Sequence, residues 1–162
     1  MRTTRSRRRR EAHDQSLRHG DARTVIGVFN GLGEQSRRLR FNGPKPCLTR
    51  SELRALATID DDRRALVAYA EDDGRPVGIA RLVRSGSSAD VAVAVIDQYQ
   101  RHGIGSVLIA ELVADARAAG ITEVTALVSG GNAAALSLLR RVEKALTVSY
   151  EGSDLFVRAA IA

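Results

Sequence analysis

The sequence predicts one α/β (α+β) domain built on a mixed, mostly antiparallel sheet, and three observations carry that prediction. The apolar period switches from helical to strand-like near residue 65. Three apolar runs then follow one another, separated only by turn residues, as antiparallel neighbours do. Past Asp97 a glycine-containing turn opens a helix that leads back into another apolar strand, so the strands before and after that helix run parallel.

Taken in order, Asp21 caps a first helix whose Val25, Val28 and Phe29 recur at helical spacing, and Gly31 or Gly33 stops it. The stretch from Gln35 to Pro44 is basic and then broken, and its Arg37, Arg38 and Arg40 are read as a solvated helix face. A second helix opens at Thr49 or Ser51, and Asp60, Asp61 and Asp62 end its apolar pattern. Strands over 65–70 and 77–83 flank the turn Asp72 to Pro76, and a third strand covers Ala89 to Ile96. Ile104, Val107, Leu108, Leu112 and Ala116 make one face of a third helix that Gly120 closes. A strand over 123–129, a helix from Asn132 through Arg141 and a hairpin around Glu151, Gly152 and Ser153 complete the order. Tyr69, Tyr99 and Tyr150 are read as packing aromatics.

At 162 residues with 44% apolar composition, the chain has the material for one core. Its net charge of +6 is concentrated at the start, where seven Arg between residues 1 and 20 face only Glu11 and Asp14. Residues 1–17 are therefore expected to be a disordered basic tail, and 18–162 a single, nearly neutral domain. No aromatic residue is interleaved in the tail for base stacking, which argues against a nucleic-acid partner. No apolar run approaches membrane-spanning length, and the stretch 11–21 offers none for a signal peptide. A single cysteine, Cys47, fits a reducing, cytoplasmic setting.

The segment Gln100, Arg101, His102, Gly103, Ile104, Gly105 and Ser106 stands between an apolar strand and a helix N-terminus. The first N–H groups of a helix lack intrahelical acceptors and sit at the positive end of its dipole, so an anion is stabilised there. Gly103 and Gly105 permit close backbone approach, and Arg101 and His102 add cationic or donor groups at the rim. A P-loop is excluded because no Gly-Lys-Ser/Thr ending follows. A dinucleotide fingerprint is excluded because Leu108 stands where a third glycine belongs.

The run from Val93 to Ile109 resembles the acetyl-CoA-binding segment of the GNAT superfamily, with Gln100, Gly103 and Gly105 at the positions of its Gln/Arg-x-x-Gly-x-Gly/Ala pattern. That resemblance implies a sheet of six to seven strands flanked by about four helices, with a splayed parallel pair in the middle. It implies acetyl-CoA as cofactor, its pyrophosphate on residues 100–106, its pantetheine arm along Val93, Val95 and Ile96, and Asn132 on the next cofactor-contacting helix. The backbone N–H of Val95 or Ile96 would then polarise the thioester carbonyl. A narrower likeness, through Ser36 to Phe41, Leu48 to Leu53 and Ala89 to Val95, is to the catalytic domain of Pat-type bacterial protein lysine acetyltransferases. It implies that Asp90 takes the place of a general-base Glu. Leu139 stands where many GNAT enzymes carry a Tyr that protonates the leaving thiolate. The expected activity is acetyl transfer to a primary amine, a protein lysine or a small molecule, by direct attack in a ternary complex, with a homodimer left open. A catalytically weak acyl-CoA-binding regulatory module is the alternative that the same residues allow.

Overall fold

A computed structural model describes residues 12–143 and 145–161. The strands are β1 (Ala12–Ser16), β2 (Arg63–Ala70), β3 (Pro76–Ser85), β4 (Ser88–Val95), β5 (Glu123–Ser129), β6 (Leu146–Glu151) and β7 (Asp154–Ala160). The helices are α1 (Ala22–Gly31), α2 (Glu34–Phe41), α3 (Arg50–Ala57), α4 (Ile104–Ala118) and α5 (Ala133–Val142), with one 3-10 turn at Asp97–Tyr99. All seven strands form one sheet in the order β1-β2-β3-β4-β5-β7-β6. Every neighbouring pair is antiparallel except β4 and β5.

The local signals that start the helices act as the residue types require. The Asp21 carboxylate accepts from Thr24 N at 3.1 Å and from its hydroxyl at 2.6 Å. Thr49 and Glu52 form a reciprocal capping box that satisfies two otherwise orphaned donors. Strand β2 is apolar on both faces because both are covered. Leu66, Ala68 and Ala70 join the main core with α4, whereas Ala65 and Val67 pack with Val25 of α1 and Ala57 of α3. Helix α4 buries Ile104, Leu108, Ile109, Leu112, Val113 and Ala116. Val107, expected on that face, is 52% exposed, since it lies about 100° from Leu108 around the helix.

Two elements differ from the sequence reading. Residues 12–16, placed in the basic tail, form edge strand β1, paired with β2 from Ala12–Ala70 to Ser16–Leu66. Leu17, also placed in that tail, is buried at 3% exposure beside Val25 and Val67, and residues 1–11 lie outside the described residues. The segment after Gly33 is a separate helix, α2, with no buried residue. It is held instead by polar and cation–π contacts, among them the Arg37 guanidinium 4.2 Å from the Phe29 ring centroid. Tyr150 is not packed, being 82% exposed on edge strand β6.

Strand β1 is also tied to α4 through a carboxyl pair. A side-chain hydrogen bond to Asp14, with partial burial and the charges of Asp14 and Asp115, raises the Glu111 pKa from 4.5 to about 7. The folded state therefore holds this proton more tightly than the unfolded chain does. The resulting stabilisation is complete below the unfolded pKa and is lost as pH rises through about 7. We expect the melting temperature to fall between pH 5 and pH 8 in the wild type by more than in Glu111→Gln, measured by calorimetry at matched ionic strength. Parallel profiles for the two proteins would remove the shared proton.

Candidate functional site

The site grows from the place where β4 and β5 part. Their parallel ladder pairs Ser88 with Glu123, Ala89 with Val124 and Asp90 with Thr125, and then stops. Beyond it β4 continues along β3 to Val95, and β5 stays paired with β7 on its other edge to Ser129. The backbone of β4 from Val91 onward thus presents an unpaired edge. A cleft of about 700 Å³ opens there, walled by Val93 and Val95, by the loop and first turn of α4, and by α5.

Of the residues expected to hold a cofactor, Val93, Val95, Gln100, Arg101, His102, Gly103, Ile104, Gly105, Ser106 and Asn132 all line this cleft. Ile96 does not. It is buried at 4% exposure, and its N–H donates to Val77 O at 2.9 Å, which corrects its assignment as an oxyanion donor. Donor direction alternates along an antiparallel ladder, so the neighbouring Val95 N–H points away from β3 toward the opening.

The two glycines of the loop have different physical roles. Gly103 has φ +83°, and a Cβ there would meet nothing within 4 Å. It therefore supplies the left-handed turn into α4 and leaves space above the helix end. Arg101 shares that left-handed region, with φ 64°. Gly105 is a packing residue, since a Cβ would lie 2.7 Å from Leu138 Cδ1 of α5 and 3.6 Å from Val95 Cγ2. Helix α4 has no side-chain N-cap, so its leading N–H groups are left to water or to an anion. Asn132 caps α5 by accepting from Ala135 N at 3.1 Å.

Gln100 is anchored within the protein. Its side-chain amide donates to Val95 O at 3.0 Å and to Ser36 Oγ at 3.1 Å, and Asp97 Oδ1 lies 3.4 Å away. Asp97 in turn accepts from Ser36 Oγ at 2.6 Å and from Gly33 N at 3.2 Å. This network fixes the loop to α2, which the sequence alone gave no means of pairing with it. It also brings Ser36, Leu39 and Arg40 into the cleft wall, together with Arg141 of α5.

Asp90 occupies the last position of β4 paired with β5, where its Oδ1 accepts from Thr125 Oγ1 at 3.2 Å. Its side chain is solvent-exposed and lies outside the lining of the cleft; desolvation by its neighbours raises its pKa above the usual 3.8, opposed by the Thr125 hydrogen bond and by the charge of Arg40. Arg40, read from the sequence as solvated, is half-buried and borders the cleft instead. Leu139 packs beside Val91 and Ile109 and supplies no titratable group. Among the described residues no helix is long and apolar enough to cross a membrane.

The profile of the Acetyltransferase (GNAT) family matches residues 34–142, more than half of the 162-residue chain. Comparison with curated protein sequences returns no match. Among solved structures, the GNAT domain of S. lividans PAT is similar at 24% identity and TM-score 0.81, with 92% of this chain and 90% of that one covered. The PaiA N-acetyltransferase from Thermoplasma acidophilum, in complex with coenzyme A, is similar at 17% identity and TM-score 0.66, covering 93% of this chain and 99% of that one. The cAMP-binding acyltransferase from Mycobacterium smegmatis is similar at 24% identity and TM-score 0.65, but 93% of this chain covers only 44% of that protein. At these identities the structural likeness establishes the fold. Together with the family match and the splayed β4–β5 cleft, it leads to one assignment: this chain belongs to the acetyltransferase (GNAT) family.

Proposed function

We propose that this protein is an N-acetyltransferase that moves an acetyl group from acetyl-CoA to a primary amine by direct attack. The observation that carries the reading is the cleft itself, in which an unpaired β4 edge ends at an uncapped helix N-terminus. An extended amide-bearing arm fits the first of these and a pyrophosphate the second. Val93 and Val95 would hold the arm through backbone hydrogen bonds, as an added strand would be held. The N–H groups of Ile104, Gly105 and Ser106, with Arg101 and Arg141 at the rim, would hold the phosphates. When bound, acetyl-CoA supplies an activated acyl group that a neutral amine can attack.

The remaining chemistry falls to this chain's own groups. Val95 N–H is directed to where negative charge would develop on the acyl oxygen, a role worth about 3 kcal/mol when preorganised. Asp90 is the carboxylate at the splay point, and its raised pKa makes it a better proton acceptor from the incoming ammonium than an ordinary Asp. The chain carries no group at Leu139 to protonate the leaving thiolate, so that proton would come from solvent.

Titration calorimetry with acetyl-CoA tests the reading. Wild type is expected to bind, and Gly103→Asp to lose about a hundredfold in affinity, because it sets a carboxylate where the phosphates are placed. Aspartate tolerates the left-handed backbone better than most residues, so the variant isolates charge from folding. Equal affinities would displace the phosphate site from this loop. Release of CoA with a panel of amines separates an enzyme from a binding module of the same fold.

A further inference from the structure

The sheet ends in two edge strands, β1 and β6, and they differ in how they meet another strand. Strand β1 has five residues and turns Asp14 toward Glu111 of α4, while His13 stacks on Tyr69 and lies 3.4 Å from Glu71. Short length and an inward-turned charge both oppose the addition of a further strand. Strand β6 has neither. It holds no proline, keeps an unbroken register with β7 from Leu146–Ala159 to Glu151–Asp154, and carries its one charge, Glu151, at the hairpin end. Among the described residues nothing pairs with its outer side.

The direction of its free backbone groups follows from the hairpin. Gly152 and Ser153 form a two-residue loop, with Gly152 at φ 64° as a type II′ turn requires. Such a loop closes on a hydrogen-bonded pair, here Glu151–Asp154, and pairs alternate from there, so Ser149 and Thr147 bond to β7. Leu146, Val148 and Tyr150 therefore direct their N–H and C=O groups away from the sheet. That set is symmetric about Val148. A second β6, turned by 180° about an axis through Val148 and normal to the sheet, runs antiparallel to the first. Each Leu146 then stands opposite the other copy's Tyr150, Val148 stands opposite Val148, and Glu151 meets no charge of the other β6.

The side chains fit the same register. Leu146 and Val148 pack onto the main core, and alternation puts Tyr150 on that side as well, yet it is 82% exposed. Leu146 also lines an apolar recess with Leu139, Val142 and Val157. At about 20 Å³ the recess cannot admit a ring, but a ring laid beside Leu146 covers apolar surface that each copy alone leaves to water.

We propose that this chain forms a symmetric dimer through β6, joining two sheets into one. Any strand could use the free backbone groups; a second copy is the one that also sets Tyr150 against Leu146 twice, once on each side of the axis. The contact is one strand wide, so the dimer is reversible. It is independent of acetyl transfer, since none of these three residues lines the cleft.

Sedimentation of the full chain over a range of concentrations tests this, and wild type is expected to pass from the mass of one chain to that of two. Val148→Pro removes the N–H on the axis, which β7 does not use, and Tyr150→Lys sets a charge against Leu146. Each is expected to weaken dimerisation by about tenfold or more. Thermal unfolding shows whether the variants are folded, and Tyr150→Lys alone suffices if proline disturbs the strand, because Tyr150 is already in water. Disulfide trapping in a Cys47→Ser background reads the position. Opposed residues of a hydrogen-bonded pair have Cα atoms about 5.5 Å apart, within disulfide reach, so Val148→Cys is expected to crosslink to itself and Gln15→Cys on β1 is not. A chain that stays monomeric at every concentration, a dimer that Tyr150→Lys leaves intact, or trapping through β1 instead would overturn the proposal. So would species that grow beyond two chains, the product of an open head-to-tail pairing of β6 with β1.

Discussion

Asp90→Asn is expected to lower kcat/KM for the acceptor by about 100-fold or more while leaving acetyl-CoA affinity unchanged, as loss of a general base does. The substitution is nearly isosteric, and the amide oxygen can still accept from Thr125 Oγ1, so the β4–β5 junction keeps its geometry. Its effect on stability runs the other way. Asp90 is solvent-exposed, so the desolvation that raises its pKa above 3.8 is screened and its ionised form costs the fold only a little at neutral pH. Asn removes that penalty above the folded pKa, so the variant is expected to melt no lower than wild type at pH 7. A slower but equally stable enzyme separates a chemical role from a structural one. The wild-type rate is further expected to rise with pH along an acid limb whose midpoint lies above the ordinary Asp value, and that limb should vanish in the variant. An unchanged rate would remove the general-base assignment and nothing else.

Leu112→Ala is expected to destabilise the fold by about 2–5 kcal/mol, the largest effect on stability that we anticipate from a single core truncation. Leu112 has no solvent exposure and sits in mid-helix on α4, where that helix crosses the sheet. The loss has two parts, the transfer of the removed methyl groups and the cavity they leave. Little can collapse into it, because Leu108 and Ile109, one turn away, are themselves 1% exposed. Chemical denaturation with an unchanged slope and a shifted midpoint would report this as lost stability alone. A loss well under 1 kcal/mol would mean that α4 is less tightly packed than its burial indicates. Val107→Ala, one position from Leu108 but on the wet side, serves as the control and is expected to shift stability by no more than about 0.5 kcal/mol.

These elements show which parts of the molecule can be read from neighbours in sequence. The caps at Asp21, Thr49 and Asn132 are local signals, each a short polar side chain three residues before the N–H it accepts from, and they mark real helix starts. The change of period near residue 65 and the crossover after Asp97 likewise gave the sheet order around β4. What escaped is held by partners far away in the chain. Strand β1 has the polar sequence His13, Asp14, Gln15, Ser16 and acquires strand structure from pairing with β2 about fifty residues later. Helix α2 buries no residue, and its anchor is Asp97, 61 positions from Ser36. The cleft residues were legible because glycine, strand and helix start lie side by side. Ile96 was placed wrongly among them because hydrogen-bond direction alternates within a strand, and one sequence position separates an inward N–H from an outward one. Arg40 was mistaken for a solvated charge because its neighbours in space, Arg81 and Asp90, are on β3 and β4.

The Asp97 carboxylate ties the start of α2, through Gly33 N and Ser36 Oγ, to the loop that leads to α4, where Gln100 also reaches Ser36 directly. Since α2 carries Arg40 at its other end, whatever stiffens the loop also narrows the range of positions open to that arginine. A ligand that orders residues 100–106 would therefore order α2 with them, although α2 lies outside the helix N-terminus that the ligand would occupy. Asp97→Ala is expected to leave the melting of the sheet core unchanged while amide hydrogen exchange in α2 rises.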